Sequence, residues 1–291
     1  MYSRLHNLSQ TEISDSCLNS RVAWNAGFYY QKIILADCLC LVSYGGVFTT
    51  PHVTWPVGQL DASRLKHIID ELWRIFQLKG WPLRVMYIDE ANLPLLHSLS
   101  GYEIHVASDP AFSDYLYDAD ALRQLSGKTL HSKRNHVNHF IRTHTDFSYQ
   151  NITADDRTEA LALVKAWCDE KKLDCGNVAV SDYRAIRELF DNFSRLDIRG
   201  GVIRASGRLV AFALGSELGK DTAVIHFEKA DAAIPGLYAT INKLVLENAF
   251  PKVNWVNREE DMGIAGLRKS KQSYGPLRMI HKFEANLQRQ V

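Results

Sequence analysis

The chain lacks most of the signatures that would reveal its chemistry directly. It has no G-x-S-x-G, no Walker-type phosphate loop and no H-E-x-x-H, so serine-hydrolase, P-loop and metalloprotease readings have no support. Its five cysteines, Cys17, Cys38, Cys40, Cys168 and Cys175, form no CxxC pair and no zinc-type spacing, and read as reduced thiols of a cytoplasmic protein. Long apolar runs are missing too. The longest, residues 33–44, is broken by Asp37 and is too short to cross a bilayer. Residues 1–10 hold no apolar core of a secretory signal. A net charge of +1 excludes a general nucleic-acid coat protein but allows a local basic patch. Such a patch is suggested by one more absence: residues 121–145 and residues 262–283 contain no Asp or Glu.

Those two acid-free stretches also contain charges where helix packing calls for apolar residues. At about 100° per residue, Leu130, Val137, Phe140 and Ile141 form one stripe, and Arg134 falls inside it. Ile264 and Leu267 define a second packed face that Asp261, Arg268 and Lys271 share. A charge on a packed face is costly unless it is paired or hydrogen-bonded. Arg134 and Arg268 are therefore expected in a shared cleft or its supporting shell. Their partner is either a bound anion or an internal network with Glu259, Glu260 and Asp261. His131, His136, His139 and His144 lie in the first stretch without a carboxylate among them, so no metal site is expected.

Periodicity and turn residues divide the rest into two mixed halves. Helices are predicted over residues 61–79, 90–99, 131–142, 155–171, 181–192 and 235–250, and short strands between them, including one after Gly45-Gly46. Asp61 is a candidate N-cap and Gly80 a helix stop. Antiparallel hairpins combined with helices on a sheet give an α+β (mixed α/β) class rather than a doubly wound parallel sheet. The predicted lobes are residues 1–130 and 131–291.

The order of elements over residues 201–283 resembles the acetyltransferase fold known as GNAT. The motifs are more specific. Leu125-Ser126-Gly127-Lys128, Lys133-Arg134-Asn135-His136, His226-Phe227-Glu228-Lys229, Gly236-Leu237-Tyr238, Asn242, and Asn257 to Asp261 followed by Lys271, Ser273 and Tyr274 resemble the C-terminal domain of the phosphatidylglycerol lysyltransferases. That family has tandem GNAT-like lobes and is related to the Fem peptidyltransferases.

The resemblance implies acyl or aminoacyl transfer to an amine or hydroxyl. Glu228, Tyr274 and His226 are the expected catalytic groups. Lys133, Arg134, Asn138, Gly236, Asn257, Arg258, Arg268 and Lys271 are the expected binding groups. Strand alternation places His226 and Glu228 on the same sheet face. Pro235 removes one N–H donor where a coenzyme A pyrophosphate would sit, so acetyl-CoA or another acyl-CoA is one candidate donor and aminoacyl-tRNA another. The alternative is a catalytically silent module that binds a phosphorylated ligand, a nucleotide or RNA.

Overall fold

The computed structural model describes residues 11–44, 50–175 and 181–290, so the strand expected after Gly45-Gly46 lies outside the described residues. Helix α1 (Leu18–Phe28), which the sequence reading did not predict, precedes the hairpin of β1 (Gln31–Leu35) and β2 (Cys38–Ser43). Strand β3 (His52–Thr54) leads to α2 (Ala62–Leu78). Asp61 caps α2 by accepting from the Arg64 N–H, and Leu65, Ile68, Ile69, Leu72 and Phe76 bury its inner face. Then follow β4 (Leu83–Asp89), the short α3 (Leu93–His97) and β5 (Tyr102–Ser108).

Strand β6 (Asp114–Asp118) and α4 (Ala119–Gln124) lead into the basic helix α5 (His131–Thr143). After β7 (Ser148–Asn151) come α6 (Arg157–Glu170) and α7 (Asp182–Asp191). Three antiparallel strands follow: β8 (Arg199–Ala205), β9 (Arg208–Leu218) and β10 (Thr222–Ala230). Helix α8 (Leu237–Asn248), β11 (Trp255–Asn257), α9 (Ala265–Gln272), β12 (Arg278–Ile280) and β13 (Lys282–Arg289) complete the order.

The strands form two sheets, β1-β2-β3-β4-β13-β5 and β12-β6-β11-β10-β9-β8-β7. The expected boundary at residue 130 therefore needs correcting. Strand β6 pairs with β11 and β12, which places it in the second sheet. Strand β13 returns to the first sheet and fills the gap between β4 and β5. Among the described strands the chain passes between the two sheets at residues 108–114 and 280–282.

Lys282 sits at the second crossing, buried, with its Nζ 2.5 Å from Asp15, 2.6 Å from Asp114 and 2.8 Å from Glu260. These three carboxylates would suit a metal ion, but the Lys282 ammonium stands among them. Asn257 donates to the same Asp114 at 2.9 Å. Each crossing is thus tied to the other by charge.

One face of the second sheet packs Ala223 and Ile225 against Leu237, Ile241 and Val245 of α8 and against Val137 and Phe140 of α5. The other packs Phe212, Leu214 and Phe227 against α6, α7 and Ala23 of α1. Cys168 and Cys175 are joined by a disulfide, which corrects the expectation of five reduced thiols. The turn after α6 brings them together, with Leu173 N–H donating to the Cys168 carbonyl at 2.9 Å.

Candidate functional site

Two irregularities of β10 create the site. Only Thr222, Ala223 and Val224 pair with β11, so the outer half of β10 has no strand partner on that side among the described residues. The register against β9 also slips between Ile225 and Phe227. A bulge of this kind puts two successive side chains on one face. His226 and Phe227 both face α1, where His226 meets Ser20 and Phe227 meets Trp24. Glu228 faces α8 instead, within 3.1 Å of Asn242. The expectation that His226 and Glu228 share a face is corrected by this bulge.

On the α8 side, Glu228 fills the space left by the missing strand pairing. One carboxylate oxygen accepts from Asn242 and the other forms an ion pair with Arg258, the residue that follows β11. Arg258 is stacked 4.5 Å from the centre of the Tyr274 ring, and Lys133 of α5 lies 4.2 Å from the same centre. Arg258 Nη1 is buried and has no hydrogen-bond partner among the described residues. Burial opposes its charge, yet Glu228 keeps the guanidinium firmly protonated. Burial pushes the Tyr274 hydroxyl up to about 12, against the pull of the Arg258 charge. Burial also lowers the Lys133 pKa, and the Arg258 charge lowers it further.

These groups line a cavity of about 310 Å³. Its walls are Lys133 and His136 from α5, Ala232, Ile234, Pro235 and Gly236 from the loop before α8, Tyr238 and Ala239 from the first turn of α8, and Arg258, Ser270 and Tyr274. Gly236 has φ +86° and caps α8. A Cβ there would fall 2.2 Å from the His136 carbonyl oxygen, so glycine is what lets α5 and α8 approach closely enough to form the wall.

The structure brings Lys133, Gly236, Arg258 and Tyr274 together at the cavity, with Glu228 directly behind Arg258. Other expected site residues are engaged elsewhere. Arg134 Nη1 donates to the Leu125 carbonyl at 2.6 Å, closing the end of α4. Arg268 makes a two-pronged pair with buried Asp261 at 2.8 and 2.9 Å, as the ion-network alternative anticipated. Lys271 donates to the carbonyls of Arg258, Glu259 and Glu260, and burial lowers its pKa to about 8. Asn257 is buried against Glu12, Asp114 and the Glu259 N–H. Asn138 is exposed on α5. None of these five lines the cavity.

His226 belongs to a separate buried cluster. One ring nitrogen lies 2.8 Å from Glu259 and the other 2.8 Å from Ser216, with Cys17 4.0 Å away. Burial alone would lower its pKa; hydrogen bonds and charges from Cys17 and Glu259 outweigh that and raise it to about 10. Sequence reasoning missed His136, Tyr238 and Ser270. It also missed Tyr117, whose ring lies 5.8 Å from the Arg258 guanidinium, because β6 was not recognised as part of this lobe.

A family model described as phosphatidylglycerol lysyltransferase, C-terminal, matches residues 25–286. A curated relative, an uncharacterized protein of Mycoplasmoides gallisepticum, is 24% identical over 206 residues, spanning 69% of this chain and 65% of that protein. A solved structure of a conserved protein of unknown function from Bacteroides thetaiotaomicron superposes with TM-score 0.90 at 29% identity, covering 99% of this chain and 96% of that one. FemX superposes with TM-score 0.68 at 8% identity, covering 97% and 94% of the two chains. The fold is the tandem GNAT-like arrangement. No helix among the described residues is long and apolar enough to cross a membrane.

Proposed function

This chain belongs to the phosphatidylglycerol lysyltransferase C-terminal family, and from that premise we propose that it is an acyl- or aminoacyltransferase working in the cavity beside Arg258. The observation that carries the reading is the unpaired, buried Nη1 of an arginine whose other contacts are fixed by Glu228 and Tyr274. A guanidinium fixed in a desolvated wall suits the oxygen that gains charge when an amine or hydroxyl attacks an activated carbonyl. Tyr274, protonated up to about pH 12, would give its proton to the leaving oxygen or sulfur. Lys133, on the other side of the Tyr274 ring, would steady the same developing charge as a second cation, and the attacking group's own proton would leave to water. Glu228, expected in the proton path, has both oxygens engaged and would instead position Arg258.

Fem-type fold and family membership support aminoacyl-tRNA as donor, and acyl-CoA remains the competing donor because Pro235 removes only one amide from the loop. Both should be offered with an amine or hydroxyl acceptor, and kcat/KM measured for Arg258→Lys and Tyr274→Phe. Loss of the guanidinium fork is expected to lower kcat/KM on the order of 100-fold. Wild-type kcat/KM in both variants would remove these roles. If no donor turns over while an anion still binds, the silent binding module becomes the correct reading.

A further inference from the structure

The charge pattern of this cavity restricts what it can hold. Lys133 and Arg258 present two cations on either side of Tyr274. Ile234, Pro235 and Ala239 supply an apolar floor. Among the described residues no carboxylate lines the cavity. Glu228, the acid behind the wall, already serves Asn242 and Arg258. What is left over is a donor, the buried Arg258 Nη1, so the wall is short of acceptors. Burial lowers the Lys133 pKa, and Arg258 lowers it further against the opposing charge of Glu228. A third cation would add to the repulsion; a carboxylate or phosphate oxygen would offset it.

We propose that the cavity receives a ligand presenting an anionic group, carboxylate or phosphate, between Lys133 and Arg258, and that it rejects a cationic side chain such as lysyl. The group this protein handles then differs from the one in its family's description. The inference rests on the cavity being the substrate site, but its test does not need turnover.

The purified full chain would be treated with pyridoxal 5′-phosphate and borohydride, and labelling of Lys133 would be compared with that of exposed Lys220 by peptide mass spectrometry. Glutarate, pyrophosphate and cadaverine would be added as competitors at equal ionic strength. Glutarate and cadaverine are both five-carbon chains with a charge at each end, of opposite sign. Because cadaverine's own amines consume the aldehyde, rates are read relative to Lys220: the expected result is at least tenfold slower relative labelling of Lys133 with an anion and no relative slowing with cadaverine. Whichever anion protects better identifies carboxylate or phosphate as the natural group. Arg258→Gln should abolish the protection.

Equal protection by cadaverine, no protection by either anion, or no labelling of Lys133 by this anionic reagent would each overturn the proposal. Anion protection without turnover of any donor would leave the charge selectivity standing and remove the transferase reading. If aminoacyl-tRNA is turned over, lysyl should be at least tenfold poorer in kcat/KM than alanyl; equal or better use of lysyl would count against the proposal.

Discussion

The junction between the lobes and the cavity of the second lobe each bury a cation against carboxylate, and they differ in what remains unpaired. At the junction Lys282 meets Asp15, Asp114 and Glu260, a surplus of acid around one ammonium. At the cavity Arg258 meets Glu228 alone and keeps one nitrogen without a partner. In the first arrangement every carboxylate reaches the one ammonium, although Asp114 Oδ1 makes no hydrogen bond among the described residues, and the cluster holds two crossing segments together. The second leaves a desolvated donor unmatched, which is costly in a scaffold and useful in a binding site. Burial and charge alone do not separate the two cases; the count of partners does.

The sharpest way to break this comparison is Lys282→Met. It leaves buried Asp114 facing the half-buried Asp15 and Glu260 without a cation, and should cost about 3–5 kcal/mol, a fall in Tm on the order of 10 °C. Arg258→Lys should change Tm far less while abolishing anion protection at Lys133. A reversal, with Lys282→Met stable and Arg258→Lys unfolding, would show that the roles are exchanged.

A smaller effect comes from His226, on the opposite face of β10. Its folded pKa, about 10, lies above the ordinary value of 6.5. The stability it contributes is therefore fully present below pH 6.5 and is lost as pH rises towards about 10. In urea titrations the difference between wild type and His226→Gln should shrink across that window. A difference that stays flat or grows with pH would contradict a protonated imidazole paired with Glu259.

The smallest expected change is Arg134→Ala. It removes one hydrogen bond to the Leu125 carbonyl, worth about 1 kcal/mol, and should leave protection of Lys133 intact. Loss of that protection would return Arg134 to the ligand site and blur the line between wall and scaffold.

Much of the second lobe was legible in the residues. The 3.6-residue spacing of Val137 and Phe140 and the glycine before Leu237 fix the two helices that face the cavity. Arg134 and Arg268 were expected in one shared cleft, but neither lines the cavity: Arg134 bonds a carbonyl, Arg268 pairs with Asp261, and Ile264, read as part of a packed face, is 52% exposed. Periodicity reports that a charge is held but not what holds it. Glu228 and His226 were assigned to one face and lie on opposite faces because a bulge resets the two-residue alternation, and no residue type around Ile225 announces one. The destination of β13 was equally hidden. Strand pairing is decided by contacts distant in sequence, and residues 282–289 suit an edge of either sheet by composition alone.

The place of β13 between β4 and β5 has a consequence for how the chain is made. Synthesis delivers the first sheet's other strands early and its inner strand near the end of the described chain. Until residues 282–289 leave the ribosome, β4 and β5 each keep an open edge able to pair with foreign strands. The lobe that is translated first is thus the one completed last, and a chain cut after the cavity residues would carry the whole candidate site beside an unfinished sheet.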